Sequence, residues 1–473
     1  RSAMIARVTG PIPDRAAAAA LGSALRRIGY TEDALDELVD EDGFSGEAEE
    51  TLVTERRLPR TKLGTAIRLL GLQLPTARKD AVAALGRKAV DALAATGLAS
   101  VDGEVVPHSR LVPVGDVYLA SDGFTRAGDD PPDYVAGYTL TARTCDMLTP
   151  RRRARRALDV GTGSGIHALI AARHHKEVIA VDLNPRALAY TELNAALNGF
   201  DNVECRQGSF FEPVDGETFD LVTCNAPYVV SPETRWIYRD SGFRGDDVTA
   251  HLSAAAAAHL AKGGFATLLG SWLVVGKGDT ERRPVAWVEA TGCDGWVLAE
   301  PEVDPLDHAA TWNSDNFDEP TAFGAALDEW TGYLAELGAR AVAEGAIILH
   351  RRDVPHPTLR VDEIDAESLE PAGDQVRRAF ANRARLDGMK DGKLAKARLA
   401  RAMPLEFTRG VGRRTGELLV DAGTNSILEA TPKEVRVVER LDGKTPLTRL
   451  GADRDAVELC RDLLELGALR FAR

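Results

Sequence analysis

Short apolar runs alternate with helical patterns between residues 157 and 350, which predicts an α/β domain with a mostly parallel sheet and helices on both faces. Three observations carry this. Strand-like runs recur at 157–160, 178–181, 203–206, 221–224, 265–269, 296–300 and 346–350. Helical patterns separate most of them, notably at 185–198, 248–260 and 325–343. The first run breaks into Gly161, Gly163 and Gly165 before a helical pattern resumes through Leu169, Ile170 and Ala172. A glycine turn between strand and helix lets a ligand approach backbone N–H groups, as nucleotide-like cofactors require.

The 473 residues exceed one ordinary core and imply two or three domains. With 44% hydrophobic and 27% charged residues, the composition is that of a globular protein. A formal net charge of −14 argues against a chain that simply coats nucleic acid, although a local basic face remains compatible with it. The five cysteines are scattered with no C-x-x-C pair, which points to reduced thiols and a cytoplasmic location. No apolar run reaches the roughly 20 residues that span a bilayer, and no signal peptide is visible after Arg1-Ser2-Ala3-Met4. Neither membrane association nor a metal site is expected, and nothing sets the oligomeric state.

We expect residues 1–118 to form a mainly helical domain. Asp14 caps a helix through Ile28, and Thr31 a second over 32–39. Between 31 and 50 lie ten acidic residues and no basic one, a pattern typical of a solvated face. Helical spacing returns at 62–72 and 76–98, followed by a hairpin with an Asp102-Gly103 turn. Helices followed by a small hairpin suggest a winged-helix-like module. Residues 111–118 alternate like a strand, and the Gly/Asp/Pro-rich 121–132 lies near the first boundary. A second domain, 119–352, opens with a helix over 137–148, then the run Arg151-Arg-Arg-Ala-Arg-Arg156, which suits either phosphate contact or a charged loop. In the third domain, 353–473, residues 377–414 carry twelve Lys or Arg against three acids and read as amphipathic helix. Residues 431–471 show two helical stretches around Asp442-Gly-Lys-Thr445, another winged-helix-like pattern.

Ligands of such sheets collect at the carboxyl ends of the strands, where the glycines, Asp182 and Asn225 all fall. Because Ile166 stands where a dinucleotide fingerprint has its third glycine, the turn Gly161-Thr162-Gly163-Ser164-Gly165 departs from G-x-G-x-x-G. Asp182 ends the next strand, about 20 residues on, where a carboxylate can accept both ribose hydroxyls. Asp159 precedes the turn and stands available for a cationic group of the ligand.

Leu158-Asp-Val-Gly-Thr-Gly-Ser-Gly165, Val181-Asp182 and Cys224-Asn-Ala-Pro-Tyr228 together resemble class I S-adenosylmethionine-dependent methyltransferases. The closer resemblance is to the small-methyltransferase superfamily, which modifies planar nitrogens and includes release-factor glutamine and DNA or RNA amino-group methyltransferases. It covers residues 122–352. It implies a Rossmann-like, seven-stranded, mostly parallel sheet that binds S-adenosylmethionine. Carried over by position, Gly161, Gly163 and Gly165 pass beneath the cofactor, Asp182 binds its ribose hydroxyls, Ser209 and Phe210 flank its adenine, and Thr162, Leu183 and Asn225 also belong to the cofactor-binding set. Asn225 and the carbonyl of Ala226 accept the two N–H bonds of an amide or amino nitrogen, while Pro227 and Tyr228 complete the motif and Tyr228 stacks on the planar group. Relatives usually have proline where Ala226 stands; Ala keeps the carbonyl but loses proline's stiffness.

The resemblance leaves the methyl acceptor open. Nucleic acid is slightly favoured by the basic 377–414 stretch, with protein glutamine or a small molecule as alternatives. An NAD-dependent oxidoreductase shares the glycine turn but leaves 225–228 unexplained, and a cofactor-binding but inactive interaction module is the reading from another class. His167 reads as a packed or capping residue, and Trp312 and Asn313 as candidates to line the acceptor cleft.

Overall fold

The computed structural model describes residues 11–39, 48–123, 131–235, 237, 239–278, 280–314, 317 and 319–472. Arg1–Met4, part of the acidic 31–50 stretch and most of the 121–132 boundary lie outside them.

An eight-stranded sheet forms the centre: β1 (Ala154–Val160), β2 (His175–Asp182), β3 (Val203–Gln207), β4 (Phe219–Cys224), β5 (Leu260–Val274), β6 (Asp294–Ala299), β7 (Ala341–His350) and β8 (Leu359–Glu363). Its order is β3-β2-β1-β4-β5-β7-β6-β8, and only β7 runs antiparallel to its neighbours. All seven expected strands are present. The eighth, β8, pairs beside β6 and carries the sheet past residue 352 to Glu363. Leu158, Val160, Ile179, Val181, Val222 and Ile348 are all buried, as strands covered on both faces demand.

From β1 the chain winds outward through β2 to β3, then returns to place β4 on the other side of β1. The crevice between the carboxyl ends of β1 and β4 is therefore the switch point where such sheets bind ligands. Helices α1 (Leu140–Leu148), α2 (Ile166–Ala172), α3 (Pro185–Asn198) and α4 (Asp247–Ala258) pack nearby. Thr139 caps α1, and Asn184 with Pro185 starts α3.

The N-terminal module is fused to α3. Leu21, Leu25 and Tyr30 share one core with Tyr190, Leu193 and Leu197. Gly22 allows the helix Arg15–Ile28 to lie against α3, since a Cβ there would sit 2.1 Å from the Leu197 carbonyl oxygen. The Asp14 and Thr31 caps form as expected, but the second helix stops at Asp36. The 76–98 pattern breaks at Gly86 into Arg78–Leu85 and Arg87–Ala95, because that residue has φ +89° and ψ 153°. The hairpin Ala99–Val101/Glu104–Pro107 forms and gains Thr76–Ala77 as a third strand. The 111–118 strand belongs to a second hairpin, Ser109–Val114/Val117–Asp122.

Beyond β8, the helix Gly373–Leu386 buries Phe380 against Phe265 and His350 of the sheet. Arg383 is buried there, donates to the Gly295 carbonyl and lies over Trp296 and Phe380. The amphipathic helix expected over 377–414 is replaced by this helix, a short turn Asp391–Leu394 and the strands Arg398–Arg401 and Leu405–Thr408. Gly388 at φ +65° ends the helical path, and from Leu405 the apolar spacing changes to period two. The C-terminal unit closes as a three-stranded sheet in which Arg398–Arg401 lies between Asp442–Pro446 and Leu469–Phe471. Among the described residues no helix is long and apolar enough to cross a membrane.

Candidate active site

Each glycine of the turn has its own reason. Gly161 (φ +67°) lets the turn approach the acceptor loop, since a Cβ would lie 3.0 Å from Ala226. Gly163 (φ +55°) faces open space within the crevice. Gly165 (φ +91°) is packed instead: its Cβ would meet the Thr191 hydroxyl at 2.8 Å. The turn hangs from β2, because the N–H groups of Gly161 and Thr162 both donate to the Val181 carbonyl (2.9 and 3.0 Å). Thr191 and Asn194 of α3 donate to the Gly163 and Ser164 carbonyls.

Asp182 is half-buried at the end of β2. One carboxylate oxygen accepts the Gly163 N–H at 2.9 Å and the other the Asn184 N–H at 2.8 Å. Burial raises its pKa, while these two N–H groups oppose the rise. Each oxygen keeps a lone pair, so two adjacent hydroxyls can still be accepted. Leu183 beside it is exposed on the cavity wall.

Asp159 corrects the sequence reading. Only 1% exposed, it does not line the cavity and has no room for a ligand's cation. Its carboxylate instead accepts from the Thr162 hydroxyl (2.7 Å), the Thr223 hydroxyl (2.8 Å) and the Ala168 N–H (3.1 Å), tying β1, β4, the turn and α2 together.

Asn225, Ala226, Pro227 and Tyr228 follow β4 and face the glycine turn across one cavity of about 500 Å³. Thr162, Gly163, Asp182, Ser209 and Phe210 line the same space. Among the described residues Asn225 Nδ2 makes only a long 3.5 Å contact to the Thr141 hydroxyl, leaving its amide able to meet a ligand. Tyr228 is buried, which pushes its phenol pKa up strongly, and its carbonyl accepts from Ser271. Phe210 adopts φ +46° and stands near Phe243 and His251, an aromatic group the sequence pattern did not reveal.

Trp312 lines the cavity and donates to Glu344 (3.3 Å), which burial and Glu300 push up to about 7. Asn313 does not line it; its amide donates to the Ala309 carbonyl inside the protein. His167 is buried on the cavity wall. The arginine run is at the opposite end of β1, with Arg156 paired to Glu177 and Glu217, so it plays no part in the cavity.

Two cavity walls were missed because distant pairings make them. Residues 134–137 cross the opening beside α3. There Arg186 grips Asp122 with both terminal nitrogens (2.6 and 2.9 Å) and joins Asn184 in donating to the Asp133 carbonyl. On the acceptor side Arg239 pairs with Glu233 and Asp240, holding a loop that contributes Thr234, Ile237 and Ser241. Tyr238 lies outside the described residues.

A family model described as a methyltransferase domain matches residues 152–253. Together with the sheet order, the switch-point cavity and the relatives below, it shows that the chain belongs to the class I S-adenosylmethionine-dependent methyltransferases, whose cofactor is S-adenosylmethionine. The residues fit that group: Gly163 leaves open space, and Asp182 has acceptors to spare. The chain is similar to a release factor glutamine methyltransferase of Geobacter sulfurreducens, 33% identical over 213 residues (37% of this chain, 71% of the relative). A second relative of that description, from Xylella fastidiosa, is 36% identical over 130 residues (25% and 47%). The ribosomal protein uL3 glutamine methyltransferase of Bradyrhizobium diazoefficiens is 30% identical over 212 residues (41% and 60%). The chain spans about half the length of the first of the curated relatives it matches, such as the Xylella protein.

Proposed function

We propose that this chain transfers a methyl group to a planar amide or amino nitrogen, and that this nitrogen belongs to a nucleic-acid base. The supporting observation is the pairing of the glycine turn with Asn225–Tyr228 across one cavity. S-adenosylmethionine supplies an electrophilic methyl group carried on a sulfonium. Asp182 and the turn hold the cofactor's sugar and amino-acid parts. Asn225 Oδ1 and the Ala226 carbonyl accept the two N–H bonds of the acceptor, whose lone pair is otherwise delocalised and weakly nucleophilic. They orient it and favour the positive charge that grows on nitrogen. Tyr228 covers the planar group and keeps water away. A target within a duplex has to be flipped out of the stack to reach this depth.

Exposed basic residues of the C-terminal unit support a nucleic-acid acceptor. A second reading, a protein glutamine, is supported by the names of the relatives, which act on release factors and ribosomal protein uL3. A cytoplasmic location belongs to the same proposal. Transfer of radiolabelled methyl groups into DNA, RNA, protein and metabolite fractions separates the readings: label in protein alone replaces the first with the second. Asn225→Ala is expected to bind cofactor normally while turnover falls about 10²–10³-fold. Unchanged turnover removes Asn225 from its role.

A further inference from the structure

The cavity does not account for a hairpin on the C-terminal unit. Strands Leu405–Thr408 and Gly416–Val420 pair in register from Leu405↔Val420 to Thr408↔Glu417, and Ile427–Ala430 completes their sheet. One face is anchored by Leu418, Val420 and Ala430, buried in the C-terminal core. Beyond Thr408 the loop Arg409-Gly-Val-Gly-Arg-Arg414 projects outward. Val411 at its tip is 106% exposed, a branched apolar side chain with nothing against it. Gly410 and Gly412 (φ +78°) flank it, and the Arg413 N–H donates to the Gly410 carbonyl to close the turn.

Arg409, Arg413 and Arg414 are all exposed, and among the described residues their guanidinium groups make no ion pair. This sets them apart from Arg239, Arg352 and Arg360, each forked onto a carboxylate. The stem below is acidic, with Glu406, Glu417 and Glu429 exposed. A polyanion lying along the stem is repelled, and one meeting the tip end-on is attracted.

We propose that this hairpin tip docks into the major groove of duplex DNA, a proposal that rests on the nucleic-acid reading of the active site and adds the class of acceptor. Two paired strands lie about 4.8 Å apart, and a B-form major groove about 12 Å wide admits such a ribbon. The deep, narrow major groove of A-form RNA does not. At the groove's edges the three guanidinium groups meet phosphates, and Val411 meets thymine methyl groups on its floor.

The test is fluorescence anisotropy of the full chain with a labelled 20-base-pair DNA between 50 and 200 mM salt, without cofactor. The variant Arg409→Gln/Arg413→Gln/Arg414→Gln is expected to bind at least about tenfold more weakly, with the log–log salt slope reduced by about 2–3. The corresponding triple Lys variant is expected to keep most of that slope, which separates charge from misfolding. Replacing thymine by uracil in the duplex is expected to weaken the wild type by about 3–10-fold and Val411→Gly much less. Unchanged affinity and slope in the Gln variant overturns the proposal, as does tighter binding of the same sequence as duplex RNA or of a release-factor-like protein. Binding is read without methyl transfer. Hairpin-dependent DNA binding with label appearing only in protein therefore refutes the acceptor reading and leaves the docking surface standing.

Discussion

Replacing Asp159 with Ala separates a carboxylate that holds the fold from one that holds the ligand. The side chain is 1% exposed and accepts from Thr162, Thr223 and Ala168 at 2.7–3.1 Å. Its loss leaves three buried donors, each costing about 1–3 kcal/mol when unsatisfied. The two hydroxyls can rotate to other acceptors, and Thr223 already reaches the Leu158 carbonyl at 3.4 Å; the Ala168 amide has no such freedom. The sum is about 3–5 kcal/mol. For a domain of 150–250 residues this lowers Tm by roughly 8–15 °C. Asp159→Asn keeps one acceptor oxygen and should lose about half as much. Scanning calorimetry reads the stability, and isothermal titration with S-adenosylmethionine reads the site. The glycine turn stays tied to β2 through Gly161 and Thr162, so affinity should fall by no more than about tenfold in the folded variant. A Tm within about 2 °C of wild type, with cofactor affinity down more than a hundredfold, would refute this reasoning and restore the carboxylate to the ligand.

Asp182→Asn should fold normally but bind cofactor about 10–100-fold more weakly, because hydrogen bonds to an ionised acceptor contribute about 1.5–3 kcal/mol; titration calorimetry showing unchanged affinity contradicts its ribose role. Gly165→Ala should unfold at lower urea by an amount corresponding to about 2–4 kcal/mol, since its Cβ meets Thr191 while φ stays at +91°. Gly163→Ala meets no neighbour but keeps φ +55°, so it should cost only about 1–2 kcal/mol of stability and also weaken cofactor binding. Glu344 is pushed up to about 7 in the fold, so its stabilising contribution is complete below the ordinary carboxylate range and is lost as pH rises through about 7. Glu344→Gln should therefore match wild type at pH 5 and exceed it in stability at pH 8. The Trp312 contribution to fluorescence should titrate near pH 7 in wild type only, and a flat wild-type curve from pH 5 to 8 speaks against it.

The sheet was readable in the sequence because strands buried on both faces leave continuous apolar runs, as in 178–181 and 346–350. That Gly161, Gly163, Asp182 and Asn225 meet at one cavity was readable because each stands at or just beyond the carboxyl end of a strand. Other features left no periodic trace. β8 follows a loop and its residues are only partly buried, so nothing in its pattern marked it as the sheet's edge. Asp159 has the same letter whether it faces a ligand or three internal donors, and only the positions of Thr162, Thr223 and Ala168 decide between them. The 377–414 stretch was misread because charge was counted without backbone direction. Arg378 and Arg383 turn inward to carbonyl oxygens, and the exposed basic residues are spread over the helix, the short turn, a strand and the 409–414 hairpin loop instead of one helical face.

Helix α3 shows why the flanking module and the site cannot be treated as independent. Its first turn and the residues just before it include Asp182, Asn184 and Arg186, which meet the glycine turn and the 131–137 wall. Its back face gives Tyr190, Leu193 and Leu197 to the core of the N-terminal module. The first turn and the back face are linked by Asp122, whose carboxylate accepts from both Arg186 and the Tyr190 hydroxyl. Through Arg186, which also donates to the Asp133 carbonyl, the wall is tied to the hairpin bearing Asp122. Stripping the module away exposes the apolar face of the helix that positions Asp182. Separating the two is expected to lower cofactor affinity, because the helix that follows β2 and Asp182 loses the module that buries its apolar face.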